Sequence, residues 1–161
     1  MQPWSAWLQA SRPLASANVA IPLVLGQALA FGAHGRFSWS LFGSVQLIGV
    51  FIQLFIVFAN DFADREGDAH NRTFNQFSGG SRVIPEGKLS PTLIAGAALV
   101  ALAGLLALGV AALLQGLGPW LLVGTAATAA LLWAYSYPPL RYAYRGGGEV
   151  LQGLGVGVVL P

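Results

Sequence analysis

Apolar positions in this chain come in long unbroken runs rather than in the alternations of a strand or the stripes of a surface helix. Three intervals contain no Asp, Glu, Lys or Arg: Pro13 to Gly35, Phe37 to Asn60, and Leu89 to Leu140. A helix needs roughly 20 mostly apolar residues to cross about 30 Å of hydrocarbon. The first two intervals each fit one crossing. The third is too long for one helix, and "QGLGP" (Gln115 to Pro119) divides it in two. The pattern predicts spans over about 14–31, 39–58, 91–114 and 119–135, with a fifth apolar stretch opening at Glu149 and running through 149–161. Pro13 sits where a first-turn proline is tolerated, and Pro22 falls inside the first span. The expected fold class is all-α, a polytopic transmembrane helix bundle in one domain.

Composition sharpens this picture. Hydrophobic residues make up 55% of the 161 positions and charged residues only 9%, against about a quarter charged in an ordinary soluble domain. Cysteine is absent, which excludes disulfides, thiol chemistry and thiolate metal sites. The net charge of +2, spread over short loops, gives no basic face for a nucleic acid. "ALAFGA" offers small residues for signal cleavage, but the apolar run before it exceeds a signal peptide's core, so the first helix is expected to be retained.

Basic residues set the orientation. Arg12, Arg65, Arg72, Arg82, Lys88, Arg141 and Arg145 fall on one side of the expected topology, and only Arg36 on the other. The N-terminus, the acidic loop and "YSYPPLRYAYR" are therefore expected in the cytoplasm, with the chain in the plasma or inner membrane. Trp39 and Trp120 fall at the outer boundary, and Trp4, Trp7, Trp133, Tyr135 and Tyr137 at the inner one, as in an aromatic belt. Alanines recur every four residues at 103, 107 and 111 and again at 126, 130 and 134. They are either close-packing faces or simply the content of alanine-rich spans.

Four of the six acidic residues crowd into "NDFADREGD", directly behind the second apolar run. If that helix continues past the membrane core, Asn60, Asp64 and Asp68 follow at i, i+4 steps, and Asp61 shares their broad face. Like charges so placed repel unless a cation sits among them. Magnesium, a hard ion that takes one or two carboxylates and completes its shell with water and phosphate oxygens, fits that requirement. Polar groups at that depth are functional candidates, although a solvated loop would carry acids too. "SGGSRVIPEGKLSP" (Ser78 to Pro91) follows, with glycines that let backbone approach an anion and Arg82 and Lys88 to meet phosphate oxygens.

"NDFADREGD" matches the first aspartate-rich motif, N-D-x-x-D-x-x-x-D, of the UbiA-type intramembrane aromatic prenyltransferases. "SRPLASANVAIPLVLGQALA" resembles that family's N-terminal helix, particularly in the menaquinone-pathway branch. "GGSRVIPEGKLSP" resembles its loop entering the third helix, and "YSYPPLRYAYRGGGEVLQGLGVG" its segment leading to the fifth. The resemblance implies a bundle whose cavity holds a polyprenyl diphosphate, with Asn60, Asp61, Asp64 and Asp68 binding the diphosphate through Mg2+. It implies that Arg12, Arg65, Arg82 and Lys88 neutralise the remaining charge. It further implies that Tyr135, Tyr137 and Tyr142 stand near an allylic cation, where their rings could stabilise it, or serve as belt aromatics. The aromatic acceptor would be 1,4-dihydroxy-2-naphthoate, with 4-hydroxybenzoate, homogentisate or a chlorophyll precursor as alternatives. Family members are about twice this long and carry a second aspartate-rich motif, so the chain is expected to be an N-terminal half, completed by its continuation or by a second copy.

Two other classes compete with an enzyme. A transporter places ionisable groups near the bilayer midplane, whereas these spans contain none, and only Gln27, Gln46 and Gln53 offer side-chain amides at that depth. A non-catalytic membrane partner that binds a cation at its mouth remains open at this point.

Overall fold

The computed structural model describes residues 3–73 and 80–161. Ser78 and Gly79 of the glycine-containing loop lie outside the described residues. The chain is helical, and no strand occurs among the described residues. Helix α1 (Pro3–Ser11) leads through Arg12 and a 3-10 turn (Pro13–Ser16) into α2 (Ala17–His34). Helix α3 (Trp39–His70) and α4 (Pro91–Leu114) follow, then α5 (Trp120–Ser136), the one-turn α6 (Tyr142–Arg145) and α7 (Gly148–Leu154), which ends in a π-turn over Gly155–Val159. Among the described residues, three helical segments, Trp4–His34, Trp39–His70 and Pro91–Leu114, are long and apolar enough to cross a membrane. Helix α5, at 17 residues, is a shorter apolar helix.

Local chemistry explains the ends. Ser38 caps α3 by accepting from the Leu41 N–H at 3.3 Å, and Ser90 caps α4 from Leu93 at 3.2 Å with Pro91 in the first turn. Gly35 closes α2 in the left-handed region at φ 64°. Helix α3 has 32 residues, roughly 48 Å at 1.5 Å per residue. That exceeds the hydrocarbon by about a dozen residues, and the excess is the acidic segment.

The large apolar side chains divide between core and lipid. Ile94, Ala98, Ala101, Leu105 and Gly109 form the buried stripe of α4, packed on α3, while Leu99, Val100, Leu106 and Val110 face outward. Close approach uses glycine: a Cβ at Gly104 would meet the Phe51 ring at 2.7 Å, and one at Gly109 would meet the Leu122 side chain at 2.5 Å. Of the alanine repeats, 103, 107, 126 and 130 lie at the surface and 111 and 134 are half-buried, so the fully buried stripe of α4 does not follow that repeat. Inside the bilayer region, Gln46 Nε2 donates to Gln27 Oε1 at 2.8 Å and ties α3 to α2.

Helices α2, α3 and α5 and the α7 π-turn segment close around a cavity of about 340 Å3. The π-turn touches both α5 and α2, and Pro161 lies against Gly26.

Leu105 is fully buried between α4 and α3, whereas Leu106 is 45% exposed. Leu105→Ala should cost about 2–5 kcal/mol and lower the melting temperature in detergent by several degrees. Leu106→Ala should leave it within about a degree.

Candidate functional site

The protruding end of α3 carries Asn60, Asp61, Asp64 and Asp68 on one face, and the first three are tied to other elements by side-chain hydrogen bonds. Asp61 is buried. Its Oδ1 accepts from the Ser81 N–H at 3.1 Å and its Oδ2 from the Ser81 hydroxyl. A buried carboxylate is tolerable only when bonded in this way, and the contact pins the loop before α4 onto α3. Asp64 Oδ1 accepts from the Tyr144 hydroxyl at 2.8 Å, and the Asn60 side chain lies beside the same carboxylate. Asn60 Oδ1 in turn accepts from Ser136 at 2.7 Å. Burial, followed by the bond to Asp64, pushes the Tyr144 hydroxyl up to about 12, so it remains a donor at neutral pH.

Gly80 stands between the other two acids. Its backbone has φ 69°, and a Cβ there would fall 2.2 Å from Asp68 Oδ2 and 3.2 Å from Asp61 Oδ1. Two carboxylates thus converge on a strip of backbone that only glycine leaves bare. Among the described residues, no three His, Asp or Glu side chains group closely enough to enclose a metal ion. The donor set still fits magnesium, which takes one or two carboxylates and leaves its other positions to water and phosphate oxygens.

The basic residues part company. Arg12, in the left-handed region at φ 47°, lines the cavity and lies within electrostatic reach of Asp61 and Asp68. Arg82 Nη1 donates to the carbonyls of Asp68 and Asn71, the latter at 3.4 Å, and so complements the C-terminus of α3. Arg65 turns back on its own helix, donating to the Phe62 carbonyl at 2.6 Å with its guanidinium 4.5 Å from the Phe62 ring. Lys88 pairs with Glu86 at 2.5 Å and Gln9 at 2.7 Å. Gln9 also donates to the Ser81 carbonyl at 2.7 Å. Lys88 therefore braces the loop against α1 rather than meeting the carboxylates, and its hydrogen bond holds Glu86 below the usual carboxylate range.

Among the tyrosines, Tyr135 lines the cavity and Tyr137 donates to the Ala59 carbonyl at 2.9 Å. Tyr142 points elsewhere, 39% exposed. Two residues of α6 that are two apart lie on opposite sides of a helix, so Tyr144 takes the position at Asp64. Sequence reasoning missed Tyr144, Ser81, and Arg141, whose guanidinium lies 4.6 Å from the Tyr144 ring. The signal available was the repeated Tyr-Ala-Tyr, which offers two candidates of which one helical turn selects one.

The UbiA prenyltransferase family model matches residues 19–161. The chain belongs to the UbiA prenyltransferase family. That membership makes it part of a group of membrane prenyltransferases that generally use Mg2+. No curated protein and no solved structure gives a significant match.

Removing the Ser81 hydroxyl leaves the Asp61 carboxylate short of a donor in a buried setting. Ser81→Ala should destabilise the fold by about 1.5–3 kcal/mol. In an Asp61→Asn background the same change should cost less than half as much, and a double-mutant cycle of thermal unfolding checks it.

Proposed function

We propose that the chain binds a polyprenyl diphosphate and transfers its prenyl group to 1,4-dihydroxy-2-naphthoate, the prenylation step of menaquinone biosynthesis. The proposal takes the chain as the N-terminal half of a UbiA-type bundle, with the acidic end of α3 in the cytoplasm. Seven basic residues against one support that orientation. The observation that carries the reading is the convergence of Asp61 and Asp68 on Gly80 where the apolar part of α3 ends.

The chemistry follows from the placement. Asp61 and Asp68, with Asn60 and Asp64 beside them, would hold the magnesium. When bound, magnesium supplies the charge that makes diphosphate a better leaving group. Ser81 fixes the Asp61 carboxylate, and Tyr144 with Asn60 fixes Asp64, so the acids are oriented before substrate arrives. Arg12 adds positive charge at the cavity mouth, while Arg82 and Lys88 hold the loop that presents Gly80. The diphosphate head sits at the membrane boundary and the tail runs into hydrocarbon. Cleavage of the bond between the allylic carbon and the diphosphate oxygen leaves a cation next to Tyr135, whose ring stabilises it. The acceptor ring attacks this carbon, and the substituent on the attacking ring carbon departs without its electron pair, restoring aromaticity.

The test is prenyl transfer in membranes by the full-length reading frame that contains this chain, with radiolabelled prenyl diphosphate and a panel of the four acceptor classes, with and without Mg2+. Gly80→Ala and Gly87→Ala make a matched pair. Both backbones are left-handed, at φ 69° and 66°, but a Cβ at Gly87 meets nothing within 4 Å. The left-handed backbone should cost each variant about 1–2 kcal/mol of stability, and Gly80→Ala must in addition displace the Asp68 carboxylate. Gly80→Ala should also lose about 100-fold or more in rate, some 2.7 kcal/mol of barrier, while Gly87→Ala stays within about threefold. Magnesium-dependent product with 1,4-dihydroxy-2-naphthoate is the expected outcome. Product with another acceptor would reassign the substrate. No product from folded, inserted protein would leave a cation-binding membrane partner.

A further inference from the structure

Helices α2 and α3 carry three glutamines, and two of them satisfy each other, Gln46 with Gln27. Gln53 is the third. It is only 6% exposed, and its Nε2 has no hydrogen-bond partner. Its position is two turns below Asn60 on the same face of α3, about 10 Å along the helix axis. There it lines the 340 Å3 cavity together with Thr128 of α5 and Asn18 of α2. Pro22 has no N–H, so the Asn18 carbonyl also lacks its helical donor.

A buried amide N–H without a partner is costly in hydrocarbon surroundings. Nε2 has almost no exposed surface of its own, so it reaches the cavity that Gln53 lines only when the terminal amide turns about its soft last torsion, and an occupant that accepts a hydrogen bond would hold it there. A prenyl tail has no oxygen and would leave Nε2 as unsatisfied as before. An oxygenated aromatic ring does accept. We propose that Gln53 is a specificity-determining residue on the acceptor side, its Nε2 donating to an oxygen of the aromatic acceptor seated between α2, α3 and α5. The inference rests on the prenyl-transfer function above and names how the same site reads its second substrate. A site built to bond a substrate oxygen rejects the analogue that lacks it far more strongly than an apolar pocket rejects an extra group. Gln53 is therefore the device by which a mostly apolar cavity tells an oxygenated ring from a hydrocarbon. Gln53 also borders a second cavity of about 330 Å3, beside Gln46, and the experiment separates the two.

Binding is read by quenching of tryptophan fluorescence in detergent-solubilised protein. The probes are 1,4-dihydroxy-2-naphthoate, 1-hydroxy-2-naphthoate, which lacks one hydroxyl, and 1,4-dihydroxynaphthalene, which lacks the carboxylate. Transfer kinetics run in parallel. Wild type should bind the first probe about tenfold or more tighter than at least one analogue, the factor that about 1.4 kcal/mol of hydrogen bonding provides. Gln53→Met, close in shape, and Gln53→Leu should lose most of that preference and raise the acceptor KM by about tenfold. The KM for prenyl diphosphate should stay within about twofold. The double change Gln27→Leu/Gln46→Leu, which removes the neighbouring amide pair, should leave the preference intact. Unchanged preference in both Gln53 variants means that the amide meets only water, and overturns the inference while transfer by wild type upholds the function. Loss of preference in the Gln27/Gln46 variant instead also overturns it, by moving the acceptor to the second cavity. Absence of transfer and of acceptor binding in folded wild type removes the function and this inference together.

Discussion

A carboxylate buried where a membrane ends must be hydrogen-bonded, and in this chain that requirement falls on Asp61. Its two oxygens take the N–H and the hydroxyl of a single residue, Ser81. That one contact fixes the return of the chain after α3. It sets Gly80 between Asp61 and Asp68, brings the Arg82 guanidinium to the last carbonyls of α3, and seats Val83 with no exposed surface. The loop carbonyl of Ser81 then takes Gln9 of α1, which also holds Lys88. Without the Asp61–Ser81 pair, the acidic face would be a helix end in water. With it, the face becomes the floor of a site.

The remainder of the fold serves to put that site at the right depth. Helix α3 is longer than the hydrocarbon, so its apolar part anchors in lipid and its last turns stand clear. Packing inside the bundle depends on glycines at 104 and 109 and on small or fully enclosed side chains such as Ala101 and Leu105. Lipid removes the ordinary hydrophobic drive between helices, so close contact and amide pairs hold them together. The cavity lies beneath the acids, its polar lining few in number and its walls largely aliphatic. That arrangement suits a substrate with a charged head, a ring and a hydrocarbon tail.

The all-helical membrane architecture was legible because charge-free runs of this length permit little else, and the family was legible from Asn60–Asp68 because the motif is dense and ordered. Single side chains were less so. Tyr142 and Tyr144 are equivalent in composition, and only the one-turn helix α6 directs Tyr144 to Asp64. Lys88 and Arg65 carry the charge a diphosphate needs. Yet Lys88 is drawn to Glu86 and Gln9 and Arg65 to its own helix, choices made by neighbours distant in sequence or by local rotamers. The alanine repeats of α4 and α5 gave a periodicity that the fully buried stripe of α4 does not follow, because packing followed glycine and the enclosed side chains instead. Gln53 was visible as a polar residue in a span, but its unpaired Nε2 is a fact of three dimensions.

The central claim is that Asp61 and Asp68, meeting at Gly80, hold a diphosphate head by way of magnesium. Equilibrium binding of a non-reactive prenyl thiolodiphosphate to the protein in nanodiscs, titrated with and without Mg2+, tests it without requiring turnover. Binding should tighten about tenfold or more with Mg2+, a gain of at least about 1.4 kcal/mol, and that gain should vanish in Asp68→Asn. Equal affinity with and without Mg2+ in folded wild-type protein, or a full magnesium effect in Asp68→Asn, would contradict it.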